Sequence, residues 1–129
     1  MHKGYLKIAA LLGALSVLLG AFAALGLKEI VDAKTLTMFE TGIRYQFYHV
    51  FALLAVAILY KEFPNNFLQW AGRMFCLGIL FFSGSLYCLT YFGTDISTGF
   101  KWLFFITPFG GLCFIIGWVL MALAVMKKN

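Results

Sequence analysis

The stretch FETGIRYQFYHVFALL, residues 39–54, leads from charged residues into a long apolar run. Glu40 and Arg44 lie at its start, whereas Gln46 and His49 lie within the apolar part. Polar and ionisable side chains are costly in lipid, so within a membrane span they nearly always face other helices. The stretch therefore predicts a transmembrane helix whose polar side chains turn towards the inside of a bundle.

The composition of the whole chain is typical of a membrane protein. Of its 129 residues, 63% are hydrophobic and 12% are charged, whereas soluble domains are about half apolar and a quarter charged. A soluble chain of this length has too small a core to bury so much apolar surface. We therefore expect one integral membrane domain, residues 1–129, with the lipid bilayer as its partner and no nucleic-acid partner.

Four apolar windows reach the length of about 20 residues that a bilayer requires. They cover residues 5–27, 38–62, 70–92 and 102–126. The first resembles a signal peptide, but its apolar run continues through Leu27, so we interpret it as a retained span. Because the connections are short, the windows predict an all-α, four-helix transmembrane bundle with up-down-up-down topology.

Local signals predict where the second helix begins and ends. Thr37 and Glu40 fit a capping box, with Thr37 as N-cap and Met38 as the first helical residue. Pro64 predicts that this helix ends near Phe63, because the residue before a proline disfavours the helical conformation.

Thr107 and Pro108 leave two structures open for the fourth helix. In one, Thr107 is an N-cap followed by proline at the first helical position, and residues 102–106 are interfacial or re-entrant. In the other, Pro108 lies inside a helix that begins at Trp102.

The orientation follows from the basic residues near the ends of the spans, which are enriched on the cytoplasmic side. Six of them lie on the side of the two termini: Lys3, Lys7, Lys61, Arg73, Lys127 and Lys128. Four lie on the opposite side: Lys28, Lys34, Arg44 and Lys101. Both termini are therefore predicted to face the cytoplasm.

Residues that carry a polar group fall at one depth when the four helices alternate in direction. This candidate polar layer consists of Tyr45, Gln46, His49, Ser83, Ser85, Tyr87 and Thr107. For His49 we favour a structural hydrogen bond across the bundle, to Tyr87 or Ser85, over proton or ligand chemistry. Small residues also form stripes on the first and fourth helices, which let helix backbones approach closely in lipid. We predict packing contacts at the glycines of these stripes: Gly13, Gly20, Gly110 and Gly117.

No combination of residues within the spans is typical of catalysis, since no nucleophile–base pair or pair of acids lies there. A zinc site needs three or four close ligands, and His2 is the only histidine besides His49. Cys76, Cys88 and Cys113 lie in apolar runs and form no CxxC pair. We therefore expect no catalytic residue, no metal and no cofactor.

Four motifs in order resemble the YgdD/YwdK-like family of small bacterial inner-membrane proteins of unknown function. They are GAFAALGL (residues 20–27), TGIRYQFYHVFALL (41–54), FSGSLYCL (82–89) and TPFGGLCFIIGW (107–118). The resemblance implies a four-span, multi-pass protein of the bacterial inner membrane and implies no activity. One position departs from the family pattern, since Leu25 stands where a histidine is typical.

Two functions are consistent with these features. The first, which we favour, is a non-enzymatic helical module that assembles with itself or serves as a small accessory subunit of an inner-membrane complex. The alternative is binding or transport of a small molecule, a lipid headgroup, a quinone or a proton through the polar layer around His49.

Overall fold

The computed structural model describes residues 2–92 and 102–127, and all regular structure within them is helical. In chain order the elements are α1 (Lys3–Leu25), a 3₁₀ turn (Leu27–Glu29), α2 (Ala33–Leu59), α3 (Asn66–Gly78), a π turn (Ile79–Ser83), α4 (Gly84–Phe92) and α5 (Leu103–Met126). α3, the π turn and α4 follow one another without a break, and together we call them the third span. The predicted connection at residues 93–101 lies outside the described residues, and so does Lys128.

Within the described residues, four helical stretches are long and apolar enough to cross a membrane: Lys3–Glu29, Ala33–Leu59, Asn66–Tyr91 and Leu103–Met126. The mean hydropathies of their most apolar windows are 2.4, 1.4, 1.6 and 2.3 in that order. α2 is the least apolar of the four, and it buries ten residues where α1 buries four. The helix that carries Gln46 and His49 is therefore the most buried of the four.

α2 begins five residues before the predicted start at Met38, so the predicted capping box is wrong. Asp32 is the N-cap, and its carboxylate accepts the backbone N–H of Thr35 at 2.8 Å. Hydrogen bonds from the side chain and backbone of Thr35 hold the pKa of the Asp32 carboxyl below its usual range. Thr37 lies one turn inside the helix, where its Oγ1 donates to the Ala33 carbonyl at 2.9 Å. An earlier aspartate therefore takes the capping position.

α2 ends at Leu59, ahead of the predicted end near Phe63. The chain then turns through Tyr60–Glu62, and Glu62 N donates to the Leu59 carbonyl at 3.0 Å. Asn65 caps the start of α3 by accepting the backbone N–H of Leu68 at 3.1 Å. The Asn65 amide also donates to the Ala124 carbonyl at 3.1 Å, which ties the start of the third span to the end of α5.

Pro108 lies inside α5, which begins at Leu103, so the chain adopts the second of the two structures left open for this region. Residues 103–106 are helical rather than re-entrant. Proline removes one backbone donor, and transmembrane helices tolerate this loss where nearby groups satisfy the backbone. Thr107 contributes locally, since its Oγ1 lies 3.2 Å from the Leu103 carbonyl oxygen, to which it donates.

α1 and α2 pack against each other as antiparallel helices. Near one end the Phe22 and Phe39 rings lie 6.2 Å apart. Near the other end His2 N donates to the Ala57 carbonyl at 2.9 Å. The buried side of α1 repeats every seven residues, at Ala9, Ser16 and Ala23, which keeps one seam against a neighbouring helix.

The third span packs against α2 on one side and α5 on the other. His49 and Phe75 have ring centroids 5.6 Å apart, and a Cβ added at Gly42 would lie 2.9 Å from the Tyr87 ring. A Cβ at Gly117 would lie 2.7 Å from the Phe75 ring. α2 and α5 therefore lie on either side of the third span and share Phe75 as a contact.

The four glycines predicted to pack differ in their surroundings. A Cβ at Gly110 would overlap the backbone of Phe82, so this approach requires glycine. A Cβ at Gly13 would make ordinary contact with Val50 at 3.5 Å. A Cβ at Gly20 would meet nothing within 4 Å, so the contact predicted there is absent from the described bundle. The reason is the rotation of α1 about its own axis. The side of α1 that packs against its neighbour carries Ser16 and Ala23, and Gly20 lies beside that side.

Candidate functional site

Gln46 lies at the centre of a buried network that joins α1, α2 and α4. Its Nε2 donates to Ser16 Oγ at 2.8 Å and to the Leu12 carbonyl at 3.1 Å. Its Oε1 accepts the hydroxyl hydrogen of Tyr87 at 2.7 Å. Gln46 is 1% exposed, and its amide makes three hydrogen bonds within the protein. Hydrogen bonds of this kind stabilise the association of helices in lipid.

Two further groups of polar residues lie beside this network. Ser83 Oγ donates to the Gly42 carbonyl at 2.6 Å, which links the π turn to α2. Ser85 and Thr107 lie within 2.5 Å of each other through their hydroxyl oxygens and link α4 to α5. Ser85 Oγ also lies 2.8 Å from the Phe82 carbonyl oxygen. Because Thr107 donates to the Leu103 carbonyl, the single Ser85 proton is the one available for the bond to Thr107.

His49 makes neither of the predicted contacts, with Tyr87 or with Ser85. Trp118 of α5 donates its indole N–H to His49 Nε2 at 3.1 Å. His49 Nδ1 lies 2.6 Å from the Tyr45 carbonyl oxygen. Because indole N–H only donates and a carbonyl only accepts, Nε2 must be the acceptor and Nδ1 must carry the proton. These two contacts select one neutral tautomer.

The His49 ring is also held by aromatic packing. It stacks on Phe114 with ring centroids 3.5 Å apart and an interplanar angle of 7°, and only 4% of its surface is exposed. The predicted layer therefore consists of neighbouring hydrogen-bonded groups and a stacked histidine. Among the described residues, the single buried side-chain oxygen or nitrogen without a partner is Gln69 Oε1, which lies near the start of the third span.

Three residues that complete the site were not predicted as members of it: Ser16, Phe114 and Trp118. Ser16 carries the only hydroxyl on the small-residue stripe of α1, and this was the available signal. Trp118 also carried a signal, since an indole N–H in an apolar span needs an acceptor and His49 is a suitable one. Phe114 was one of 15 phenylalanines, and nothing in the sequence distinguishes it from the others.

A groove of about 720 Å³ opens between α2 and α5, on the side of the bundle where His49 lies. We call it the α2–α5 groove. Its walls include Tyr45, Tyr48, Phe82, Pro108, Phe114 and Trp118. The π turn contributes to this wall because Phe82 lies between Gly110 and Tyr45, with the Tyr45 and Phe82 ring centroids 4.8 Å apart. Across residues 2–92 and 102–127, no three His, Cys, Asp or Glu side chains are grouped to hold a metal ion.

Comparison with known proteins gives matches along the whole chain. The model of a family described as a protein of unknown function (DUF423) matches residues 19–111. A UPF0382 membrane protein of Haemophilus influenzae is 41% identical over 129 residues, which is 100% of this chain and 98% of the relative. A UPF0382 membrane protein of Staphylococcus epidermidis is 37% identical over 126 residues, 95% of this chain and 98% of the relative.

The UPF0382 inner membrane protein YgdD of Escherichia coli K12 is 35% identical over 122 residues, 95% of this chain and 88% of the relative. These matches confirm the resemblance to the YgdD/YwdK-like family. No solved structure matches the chain. With four helices able to cross a membrane and relatives named membrane proteins, the chain is an integral membrane protein that belongs to the DUF423 family of unknown function.

Proposed function

We propose that the protein is a non-enzymatic helical module of the bacterial inner membrane that assembles with a second copy of itself through α1. YgdD, which is named an inner membrane protein, supports the location. The proposal includes the up-down-up-down topology with both termini in the cytoplasm, which the count of basic residues favours. An accessory role in a larger membrane complex would use the same surface.

The observation that carries this proposal is the open outer face of α1. This face consists of four exposed alanines, Ala10, Ala14, Ala21 and Ala24. They follow one another at intervals of three or four residues, with Val17 occupying the one position between Ala14 and Ala21. At 100° per residue the face lies about 120° around the helix from the seam that packs on α2. Small residues on a lipid-facing stripe let a second helix approach closely. A face of this kind is self-complementary in a two-fold dimer.

The interior supports a structural role for the polar residues. The amide of Gln46, the hydroxyl of Ser83 and both ring nitrogens of His49 each have a partner within the protein. A proton path through His49 would first have to break the hydrogen bond from Trp118. Conduction through His49 and the buried part of the polar layer therefore has less support than assembly.

The test is the oligomeric state of two matched variants in lipid bilayers. Ala14→Leu/Ala21→Leu places two branched side chains on the α1 face, and Ala122→Leu places one on the exposed side of α5. We expect the native chain and Ala122→Leu to give dimers by single-molecule fluorescence counting, and the α1 variant to give monomers. A native chain that is monomeric at every protein-to-lipid ratio would contradict the proposal.

A further inference from the structure

We propose that the α2–α5 groove binds a neutral, membrane-dissolved molecule through a carbonyl oxygen, which accepts a hydrogen bond from Tyr45 or Tyr48. The site is separate from the α1 face and does not depend on dimer formation. Its volume of about 720 Å³ lies within the range of about 300–1,000 Å³ for ligand pockets, which commonly form between the helices of bundles. Such pockets are mostly apolar and contain a few polar groups that orient the ligand.

The polar groups available in the groove are the two tyrosine hydroxyls. Among the described residues, neither Tyr45 nor Tyr48 makes a hydrogen bond through its hydroxyl. The other polar groups of the wall, His49 and Trp118, already bond to each other at 3.1 Å. A phenol hydroxyl donates readily to a carbonyl oxygen. The free donors therefore favour a ligand that carries an acceptor.

The electrostatics of the groove favour a neutral ligand. Of the described residues that line it, none carries a charge. Arg44, next to Tyr45 in the chain, is exposed and does not line the groove. Moving an ionised group into an apolar site without a partner is strongly unfavourable. A phosphate-bearing headgroup therefore does not match the groove.

The shape of the groove favours a molecule with an apolar tail. Its wall on α5 runs from Pro108 to Trp118, which is about 15 Å along a helix at 1.5 Å per residue. Aromatic side chains, including Phe114 and Trp118, line this wall. A carbonyl near the tyrosines and an apolar chain towards Trp118 would fill it. Two neutral lipids have this chemistry: the esters of diacylglycerols and the ring carbonyls of isoprenoid quinones.

A second cavity shows what distinguishes the groove. It has a volume of about 480 Å³ and lies between α1, α2 and α4. Three residues with hydroxyls line it, Tyr87, Thr90 and Tyr91. The hydroxyls of Tyr87 and Thr90 already donate to Gln46 and to the Leu86 carbonyl, and Tyr91 is not free either. The second cavity therefore lacks the two free hydroxyls of the α2–α5 groove.

The experiment titrates the purified full-length protein in detergent with three probes, and native mass spectrometry counts the bound molecules. The probes are decylubiquinone, 1,2-dioleoylglycerol and the anionic dioleoylphosphatidylglycerol. We expect saturable binding of one molecule per chain for at least one neutral probe, and weaker binding of the anionic probe. Binding of decylubiquinone alone identifies the quinone as the source, and binding of the diacylglycerol alone identifies the ester lipid.

Matched variants show whether the bound probe occupies the groove. Gly111 lines the groove, and a Cβ added there would come no nearer than 3.9 Å to Phe82, so Gly111→Leu should fill part of the groove. It should weaken binding of the neutral probe at least tenfold, by an order-of-magnitude estimate. Gly20→Leu lies outside the groove and should leave binding unchanged.

Tyr45→Phe/Tyr48→Phe keeps both rings and removes both hydroxyls. It should weaken binding by about fivefold or more, which corresponds to the loss of one ordinary hydrogen bond. The control is Tyr60→Phe, which lies outside the groove and should leave binding unchanged. The comparison of Tyr45→Phe/Tyr48→Phe with Tyr60→Phe still tests the site if Gly111→Leu fails to fold. Binding of no neutral probe, equal binding of the anionic probe, or neutral-probe binding that these tyrosine variants leave unchanged would overturn the proposal.

Discussion

His49 shows how single residues determine whether a polar group in a membrane protein is structural or reactive. Sequence alone places a histidine inside an apolar helix and leaves its partner open. The structure supplies the partner from a residue 69 positions away, and the donor from Trp118 selects the tautomer. A histidine with both ring nitrogens engaged is a hydrogen-bonded core residue, so its presence in the span is not by itself a sign of proton transport.

Trp118→Phe tests this role, because it removes the indole N–H and retains an aromatic ring. We expect the free energy of unfolding in detergent to fall by about 1 kcal/mol, as for other interhelical hydrogen bonds in membranes. Trp102→Phe is the control, since Trp102 is exposed and makes no hydrogen bond through its side chain among the described residues. Equal losses for the two variants would show that the hydrogen bond to His49 contributes nothing measurable.

At the scale of helices, the π turn is the feature that the sequence did not reveal. It places one wider turn in the third span at Ile79–Ser83, and such turns are often found at functional sites. Here it directs Ser83 to the Gly42 carbonyl. The backbone of Phe82 comes against Gly110 in the same turn. The close approach of the third span and α5 therefore depends on a glycine facing a distorted turn.

Gly110→Ala should destabilise the protein by about 1–3 kcal/mol, because the added methyl group overlaps backbone atoms that cannot move aside. Gly20→Ala is the matched control, since nothing lies within 4 Å of its added Cβ. It should be neutral or stabilising by up to about 1 kcal/mol, since alanine favours the helix over glycine. Chemical unfolding of both variants in the same detergent measures the difference. Similar stabilities would show that the third span and α5 are not in close contact at Gly110.

The elements differ in how well the sequence predicts them. Apolar runs indicated every helical span because hydropathy is a property of the residues themselves. The start of α2 was predicted wrongly because Asp32 and Thr37 both carry capping side chains, and only the loop geometry decides between them. The partner of His49 depends on how far α5 is rotated, and periodicity in one helix does not determine its rotation against another.

At the scale of the whole molecule, the orientation in the membrane is a prediction that labelling can test. Two exposed positions lie on opposite sides of the proposed topology, Ala33 and Asn66. Ala33→Cys and Asn66→Cys, each in a chain without the three native cysteines, leave the count of basic residues unchanged.

With both termini in the cytoplasm, a membrane-impermeant maleimide should label Ala33→Cys in intact spheroplasts. It should label Asn66→Cys only after the membrane is broken. The reverse pattern would place the termini outside the cytoplasm.

The position of α2 has a consequence for the order in which the chain is made. Gln46 meets Ser16, which lies 30 residues earlier and has already left the ribosome when α2 emerges. His49 meets Trp118, which is synthesised last among the spans. During synthesis Gln46 therefore finds its α1 partners at once, whereas Trp118, the donor to His49, enters the membrane later. A nascent chain stalled before α5 would have the α1–α2 hairpin, with His49 Nδ1 bonded inside α2 and His49 Nε2 still without its donor.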